Sequence, residues 1–347
     1  MRAGANASNA LGIDIHAHYV PSSFPTCSTH IPPSGWPSAE HVLSSGGVCQ
    51  CHVLVDGKHY RTVSEKCWNP LLRVADLSAM GLARQAISPM PELLSYPMEL
   101  KPARRLLRHV NEQMADCIAQ SNGALIGLGA VPLQDIEAAI DELHYNVHTL
   151  GFAGIEIGSN VCGRPLGDLQ LLPFFQACEA LGAAVFVHAY KPAALDRLSG
   201  PPPLQQVLAY PSDVGLAAAS VLTSGLLLRC PNLRLAFSHG GGTLASLLPR
   251  LEKGWSVFPA LHEHIPISPR EQAQRLFFDS LVFDPATLRH LVATVGAGQV
   301  LLGTDYPFNF REPEPVVQLF AAGFDGTTCA ALLHRNAERF LGLTPSP

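Results

Sequence analysis

Eight short apolar runs, each followed by helix-like sequence, constrain this chain more than any other feature. They are "LGIDIH" (11–16), "QAISPM" (85–90), "LIGLGAVP" (125–132), "GIEIG" (154–158), "AVFVHA" (184–189), "LRLAFSH" (233–239), "LFFDS" (276–280) and "VLLGTD" (300–305). Runs this apolar suit strands of a parallel sheet covered on both faces. The gaps read as helices. After the third run, Ile136, Ile140, Leu143, Val147 and Leu150 fall on one stripe, and Gly151 supplies a C-terminal stop. "LLPFFQACEALG" after the fourth run ends the same way at Gly182. Eight strand–helix repeats predict an α/β fold, a (β/α)8 TIM barrel, with residues 1–347 forming a single domain. The rival, a doubly wound open sheet, lacks its glycine fingerprint: "HGGG" at 239–242 is not GxGxxG.

Two connections are too long for plain loops. An insertion after strand one, residues 19–70, carries a β-hairpin, "CHVLVDGKHYRTV", with Asp56-Gly57 as its two-residue turn. An insertion after strand five, residues 189–211, contains "SGPPPLQQ", too rich in proline for a helix or a central strand. Both follow barrel strands, so both are expected as lid pieces over the C-terminal mouth, where barrel enzymes keep their chemistry.

Polar residues stand where the apolar runs end. His16 and His18 close the first run, and side chains two apart on a strand share a face. His188 closes the fifth run, His239 the sixth and Asp305 the eighth. One such histidine is ordinary as a cap or a satisfied core residue. Four of them with an aspartate, all on one rim, call for another explanation. Imidazole nitrogens and a carboxylate oxygen suit Zn²⁺, and a catalytic zinc keeps one position open. "CQCH" at 49–52 has no matching Cys/His pair at zinc-finger spacing nearby and reads as thiols in a hairpin strand.

This pattern resembles the amidohydrolase superfamily and, within it, the 2-amino-3-carboxymuconate-6-semialdehyde decarboxylase-like family. The likeness runs from "IDIHAH" to "RNAERFLGL" and is most specific in "DGKHYRTVSEKCWNP", "GFAGIEIGSNV", "FSHGGG" and "LLGTDYPF". Aromatic-acid decarboxylases of the same group put Glu-x-His on strand one; His-x-His here favours the muconate semialdehyde branch. Binuclear superfamily members use a carboxylated lysine on strand four. None of Lys58, Lys66, Lys101, Lys191 and Lys253 ends that strand, so one metal ion is implied.

The resemblance makes His16, His18, His188 and Asp305 the metal ligands and His239 the catalytic acid/base. It assigns substrate contacts to Arg61, Arg250, Phe308 and Tyr190, with Arg250 reaching the partner subunit of a homodimer. A guanidinium grips a carboxylate through two hydrogen bonds, which fixes where a small carboxylate substrate lies. The implied reaction is non-oxidative decarboxylation of 2-amino-3-carboxymuconate-6-semialdehyde or a closely related unsaturated or aromatic acid. Hydrolysis of a lactone or amide, or hydration of an enedioate, is the alternative use of the same activated water. The chain departs from the family at His188-Ala189-Tyr190, where "HPW" is common, and at the lid, where "GPPPLQQVLAYP" replaces a tryptophan-rich segment.

Composition excludes several other classes. At 347 residues and 47% hydrophobic, the chain can bury a large core. A net charge of −5 and the absence of a basic run argue against nucleic acid. "MRAGANASNALG" has no apolar stretch suited to a signal peptide, and no run approaches the roughly 18 residues of a membrane span. A cytoplasmic protein with no membrane partner is expected, and nine cysteines, an odd number, fit reduced thiols.

Overall fold

A computed structural model describes residues 11–27, 32–43 and 49–343. Residues 1–10 of the amino-terminal segment, 28–31 and 44–48 of the first insertion, and 344–347 lie outside the described residues.

Eight parallel strands form one sheet in sequence order: β1 Gly12–Tyr19, β2 Leu82–Pro89, β3 Leu125–Gly129, β4 Gly154–Gly158, β5 Ala184–His188, β6 Arg234–Phe237, β7 Phe277–Asp279 and β8 Val300–Leu301. All eight lie on the apolar runs. The sheet closes on itself through the segment after β8. Ile15 N–H donates to the Leu302 carbonyl at 2.9 Å, Asp305 N–H to the His16 carbonyl at 2.8 Å, and His18 N–H to the Tyr306 carbonyl at 2.7 Å. Helices fill the gaps, giving a TIM barrel. The predicted stripe after β3 is an α-helix, Ile136–His144, continued by a π-helical turn, Tyr145–Thr149, and Gly151 follows with a φ of +69°.

Strand parity separates two layers. Val185 and Val187 of β5 pack outward into the helical shell, whereas Ala184 and Phe186 join the barrel interior with Ile13, Ile15, Leu128, Ala236 and Leu301. Phe340 of the C-terminal helix Asn336–Leu341 plugs the bottom of that interior, its ring 5.4 Å from Phe277. The top is polar, and that is where the strands end.

β1 runs three residues past its predicted end, because Ala17, His18 and Tyr19 continue pairing with Ile87, Ser88 and Pro89. Its register shifts between Asp14 and Ala17. Ile13 and Ile15 point into the barrel, yet Ala17 and Tyr19 join the outer cluster around Met114 and Phe152. A bulge makes that switch of face, and it is what turns His16 and His18 inward.

The insertion after β1 is a three-stranded antiparallel sheet, Pro37–Leu43, Cys49–Val55 and Lys58–Ser64, with Asp56 and Gly57 at positive φ between the last two strands. Between β5 and β6, the segment after "GPPP" is helical, contrary to the reading of the lid as unsuited to helix. A π-helical turn, Gln205–Ala209, runs straight into the helix Tyr210–Ser224. Pro211 falls at the junction where the π-helical turn passes into that helix. The end of the lid is thereby tied to the barrel wall.

Candidate metal centre and active site

The bulge in β1 and the ends of β5 and β8 bring four side chains to one point. His16, His18, His188 and Asp305 each offer a donor atom, and these atoms lie within 4.8 Å of one another. His16 Nε2 and His18 Nε2 are 3.2 Å apart, and His18 Nε2 is 3.0 Å from Asp305 Oδ1. Three of the four residues are buried, and Asp305 is nearly so. A cluster this tight buries lone pairs against lone pairs. That is unfavourable unless a cation or protons sit among them.

Outer hydrogen bonds decide which nitrogen faces the cluster. His16 Nδ1 donates to Asp279 Oδ2 at 2.6 Å, and His188 Nδ1 donates to the Ala189 carbonyl at 2.9 Å. Each therefore turns Nε2 inward, the orientation of the tautomer that binds metals. His188 Nε2 and Asp305 Oδ1 are buried and have no hydrogen-bond partner. Two orphaned donors at the convergence point are what a metal site requires, so the residues fit a divalent ion.

Electrostatics follow the same arrangement. Burial, then the charge of the other imidazoles, holds His188 well below the usual imidazole range. Burial also lowers His239, to about 4, with the charge of His16 adding to the effect. His16 goes the other way. Burial opposes its charge, but the bond to Asp279 and the nearby carboxylates prevail and raise it to about 9. Burial works against ionised Asp305 too, yet the contact with His18 keeps its carboxyl below the usual range.

His239 follows β6 in "HGGG". It stands beside the cluster rather than in it, with ring centroids 5.0 Å from His188 and 5.4 Å from His16. Its Nδ1 lies 3.0 Å from Ser238 Oγ. The loop is held from two sides. Gly240 N–H donates to Asp279 Oδ1 at 2.7 Å. At Gly242, with a φ of +58°, a Cβ would come within 1.8 Å of the Pro211 carbonyl, so only glycine lets the loop pack on the lid helix.

The cluster opens into a cavity of about 310 Å³. Arg61, Phe308 and His239 line it, as do Gln50 of the inserted sheet and Gln206 and Tyr210 of the lid. Phe308 stacks on His18, centroids 5.2 Å apart, and the Arg61 guanidinium lies 4.3 Å from the Phe308 ring centre. Of the residues predicted from sequence, His16, His18, His188, Asp305, His239, Arg61 and Phe308 are brought together. Two are not. Tyr190 is buried against Tyr96 and lines a neighbouring cavity, so the side chain two residues past His188 turns away from the cluster. Arg250 is exposed on the helix Leu244–Val257, and the cavity of its own chain does not include it.

Three acids escaped the sequence reading. Asp279 ends β7 as the histidines end their strands, and its place in "LFFDS" was a usable signal. Glu156 sits inside the run "GIEIG", where a charged residue in a buried strand is itself a signal. Ser88 Oγ donates to its Oε2 at 2.5 Å, and burial pushes its carboxyl up to about 8. Glu92 follows β2 in a short 3-10 turn, Pro91–Leu94, and left no mark in the pattern. Its Oε1 accepts from Tyr60 of the inserted sheet and, at 3.2 Å, from Tyr210 of the lid helix.

Comparisons with known proteins agree with this geometry. A family model described as Amidohydrolase matches residues 13–343. The chain is 36% identical over 342 residues to the 2-amino-3-carboxymuconate-6-semialdehyde decarboxylase of Dictyostelium discoideum, covering 97% of this chain and 93% of that one. IDCase of Metarhizium anisopliae, solved in apo form, superposes with a TM-score of 0.80 at 18% identity, over 96% of this chain and 98% of that one. A dihydroxybenzoic acid decarboxylase from Polaromonas sp. JS666 was solved with bound manganese and the inhibitor 2-nitroresorcinol. It superposes with a TM-score of 0.70 at 20% identity, over 79% of this chain and 86% of that one. At these identities the two solved structures establish a shared fold.

Proposed function

The chain belongs to the amidohydrolase family, among the relatives of 2-amino-3-carboxymuconate-6-semialdehyde decarboxylase, and on that premise we propose that it is a metal-dependent, non-oxidative decarboxylase. Its substrate is 2-amino-3-carboxymuconate-6-semialdehyde or a closely related unsaturated or aromatic acid. One observation carries the reading: four donor atoms converge within 4.8 Å, and two of them are buried without a partner.

His16, His18, His188 and Asp305 would hold one divalent ion. Three nitrogens and a carboxylate oxygen would match the ligand preference of zinc. Manganese, bound in the Polaromonas enzyme, is the competing assignment, because availability often sorts such ions where affinity does not. When bound, the ion supplies charge that lowers the pKa of a water towards about 7 and stabilises a developing anion.

The chain's own groups do the rest. Arg61, on the cavity wall, binds a substrate carboxylate and orients the molecule over Phe308. His239, kept neutral by burial, takes up a proton from solvent and delivers it to the substrate carbon. The departing carboxylate leaves as CO2, its bonding electron pair stays on the substrate carbon, and the proton from His239 ends there. Gln206 and Tyr210 close the cavity from the lid side and limit water.

A homodimer completes the proposal, with Arg250 supplying a second guanidinium to the partner's cavity. Its exposure, and its lack of any hydrogen bond or ion pair with the described residues, support that role. We place the protein in the cytoplasm. Buried thiols such as Cys51, Cys67 and Cys178 suit a reducing compartment, and no helix among the described residues is long and apolar enough to cross a membrane.

The test is to incubate metal-loaded protein with aminocarboxymuconate semialdehyde and follow its absorbance together with CO2 release. Loss of substrate with matching CO2 supports the reading. Consumption without CO2 points to hydrolysis or hydration, and no turnover by fully metallated protein rejects this substrate.

A further inference from the structure

The three imidazoles of the cluster are not equally held. His16 Nδ1 has Asp279, and His188 Nδ1 has the Ala189 carbonyl. His18 Nδ1 is buried with no hydrogen-bond partner. Its ring contacts are all lateral: Phe308 stacks on it, and His16 and His188 meet it edge to face. A metal-binding imidazole whose far nitrogen is unpaired is free to rotate and to take the wrong tautomer, and both weaken its grip.

The nearest carboxyl group is on β4. Glu156 is fully buried, and its Oε2 lies 3.9 Å from His18 Nδ1. Ser88 holds that oxygen from the side, while Glu156 Oε1 is buried and has no partner at all. Glu156 therefore brings a carboxyl group with one unsatisfied oxygen up to the unpaired His18 Nδ1, the other oxygen of the same group lying 3.9 Å from that nitrogen. Buried polar atoms seldom stay unpaired, and the gap is short enough for a small rotation of the glutamate to close.

We propose that Glu156 is the positioning residue for His18. Its carboxyl oxygen takes the Nδ1–H of His18, so Nε2 is fixed towards the metal as Asp279 fixes that of His16. A carboxyl group accepts through its carbonyl oxygen whether or not it is ionised, so the role does not depend on charge. Strand four thus contributes to the metal centre from behind a ligand. The inference rests on the metal reading of the cluster and goes beyond it by assigning a residue that no ligand set includes.

The experiment measures zinc affinity by competition with a chromophoric chelator, and the visible spectrum of the cobalt-loaded protein, for wild type and three variants. Glu156→Leu removes the acceptor, Glu156→Asp keeps the carboxyl group but withdraws it by one methylene, and Glu156→Gln keeps an acceptor at full reach in place of the carboxyl group. Glu156→Leu is expected to lower affinity by about 10- to 100-fold and to shift the cobalt bands. Glu156→Gln is expected to stay closer to wild type than Glu156→Asp in both readouts. That order is diagnostic even if Glu156→Leu fails to fold. Wild-type affinity and spectrum in the leucine variant, or an aspartate variant that matches or exceeds the glutamine variant, would overturn the assignment. A wild-type protein that binds neither zinc nor cobalt would instead overturn the metal reading itself.

Discussion

Asp279 holds His16 and the His239 loop with one carboxylate: Oδ2 accepts from His16 Nδ1 at 2.6 Å, and Oδ1 from Gly240 N–H at 2.7 Å. The proposed ligand and the proposed acid/base are therefore positioned by a single buried group at the end of β7. Asp279→Asn keeps the size but can offer an N–H to His16, which favours the wrong tautomer. Zinc affinity is expected to fall about 10- to 100-fold, and decarboxylation by the zinc-loaded variant should fall as well. Equilibrium metal titration of variant and wild type checks this.

His239 stands outside the ligand set, so its removal should separate chemistry from metal binding. His239→Ala is expected to keep one metal ion per chain while kcat drops by roughly 10²- to 10⁴-fold. Elemental analysis alongside steady-state kinetics gives both numbers. Loss of the metal together with activity would put His239 among the ligands instead.

The metal-free protein should have a stability optimum in pH. His16 is raised to about 9, so its stabilisation is present below the unfolded value near 6.5 and is lost as pH rises towards 9. His239 is lowered to about 4 by burial. Between about 6.5 and 4 the unfolded chain takes up a proton there that the folded chain refuses, so stability also falls on the acid side. Thermal unfolding of metal-free protein from pH 4 to 9 should show both limbs, and His239→Gln should make the acid one shallower without removing it, since His188 is lowered too.

Arg61 is the one guanidinium that the cavity of this chain contains among its described residues. Replacing it with Gln removes charge-assisted hydrogen bonds worth about 1.5–3 kcal/mol, so kcat/KM should fall roughly tenfold to a hundredfold, mainly through KM. Unchanged KM would mean that the substrate carboxylate is held elsewhere.

Glu92 joins the two insertions over the mouth by accepting from Tyr60 and Tyr210 at once. Glu92→Leu leaves two phenols without their acceptor, at about 1–3 kcal/mol each where buried. Limited proteolysis within residues 189–211 should accelerate in this variant, while the barrel's far-ultraviolet circular dichroism stays as in wild type.

Much of this was legible in the sequence, for physical reasons. A parallel strand buried on both faces has to be apolar, so His188, His239 and Asp305 stand out at the ends of such runs, and the barrel follows from counting them. The β1 bulge was not legible. Strict alternation from Ile13 and Ile15 would turn His16 and His18 outward, and only the register shift against β2 reverses it. Asp279 and Glu156 were legible but passed over, each a lone acid in an apolar run of the kind that marked Asp305. The helical end of the lid was masked by its prolines, of which Pro211 sits at the junction of the π-helical turn with the helix. Tyr190 was assigned to the substrate by resemblance alone, and the backbone after β5 turns its ring towards Tyr96.

Anomalous diffraction from crystals grown with one equivalent of zinc, collected on both sides of the zinc edge, tests the central claim most directly. The account predicts one peak per chain, bonded to His16 Nε2, to one nitrogen each of His18 and His188, and to Asp305. No peak there, or a peak held by other side chains, would contradict it.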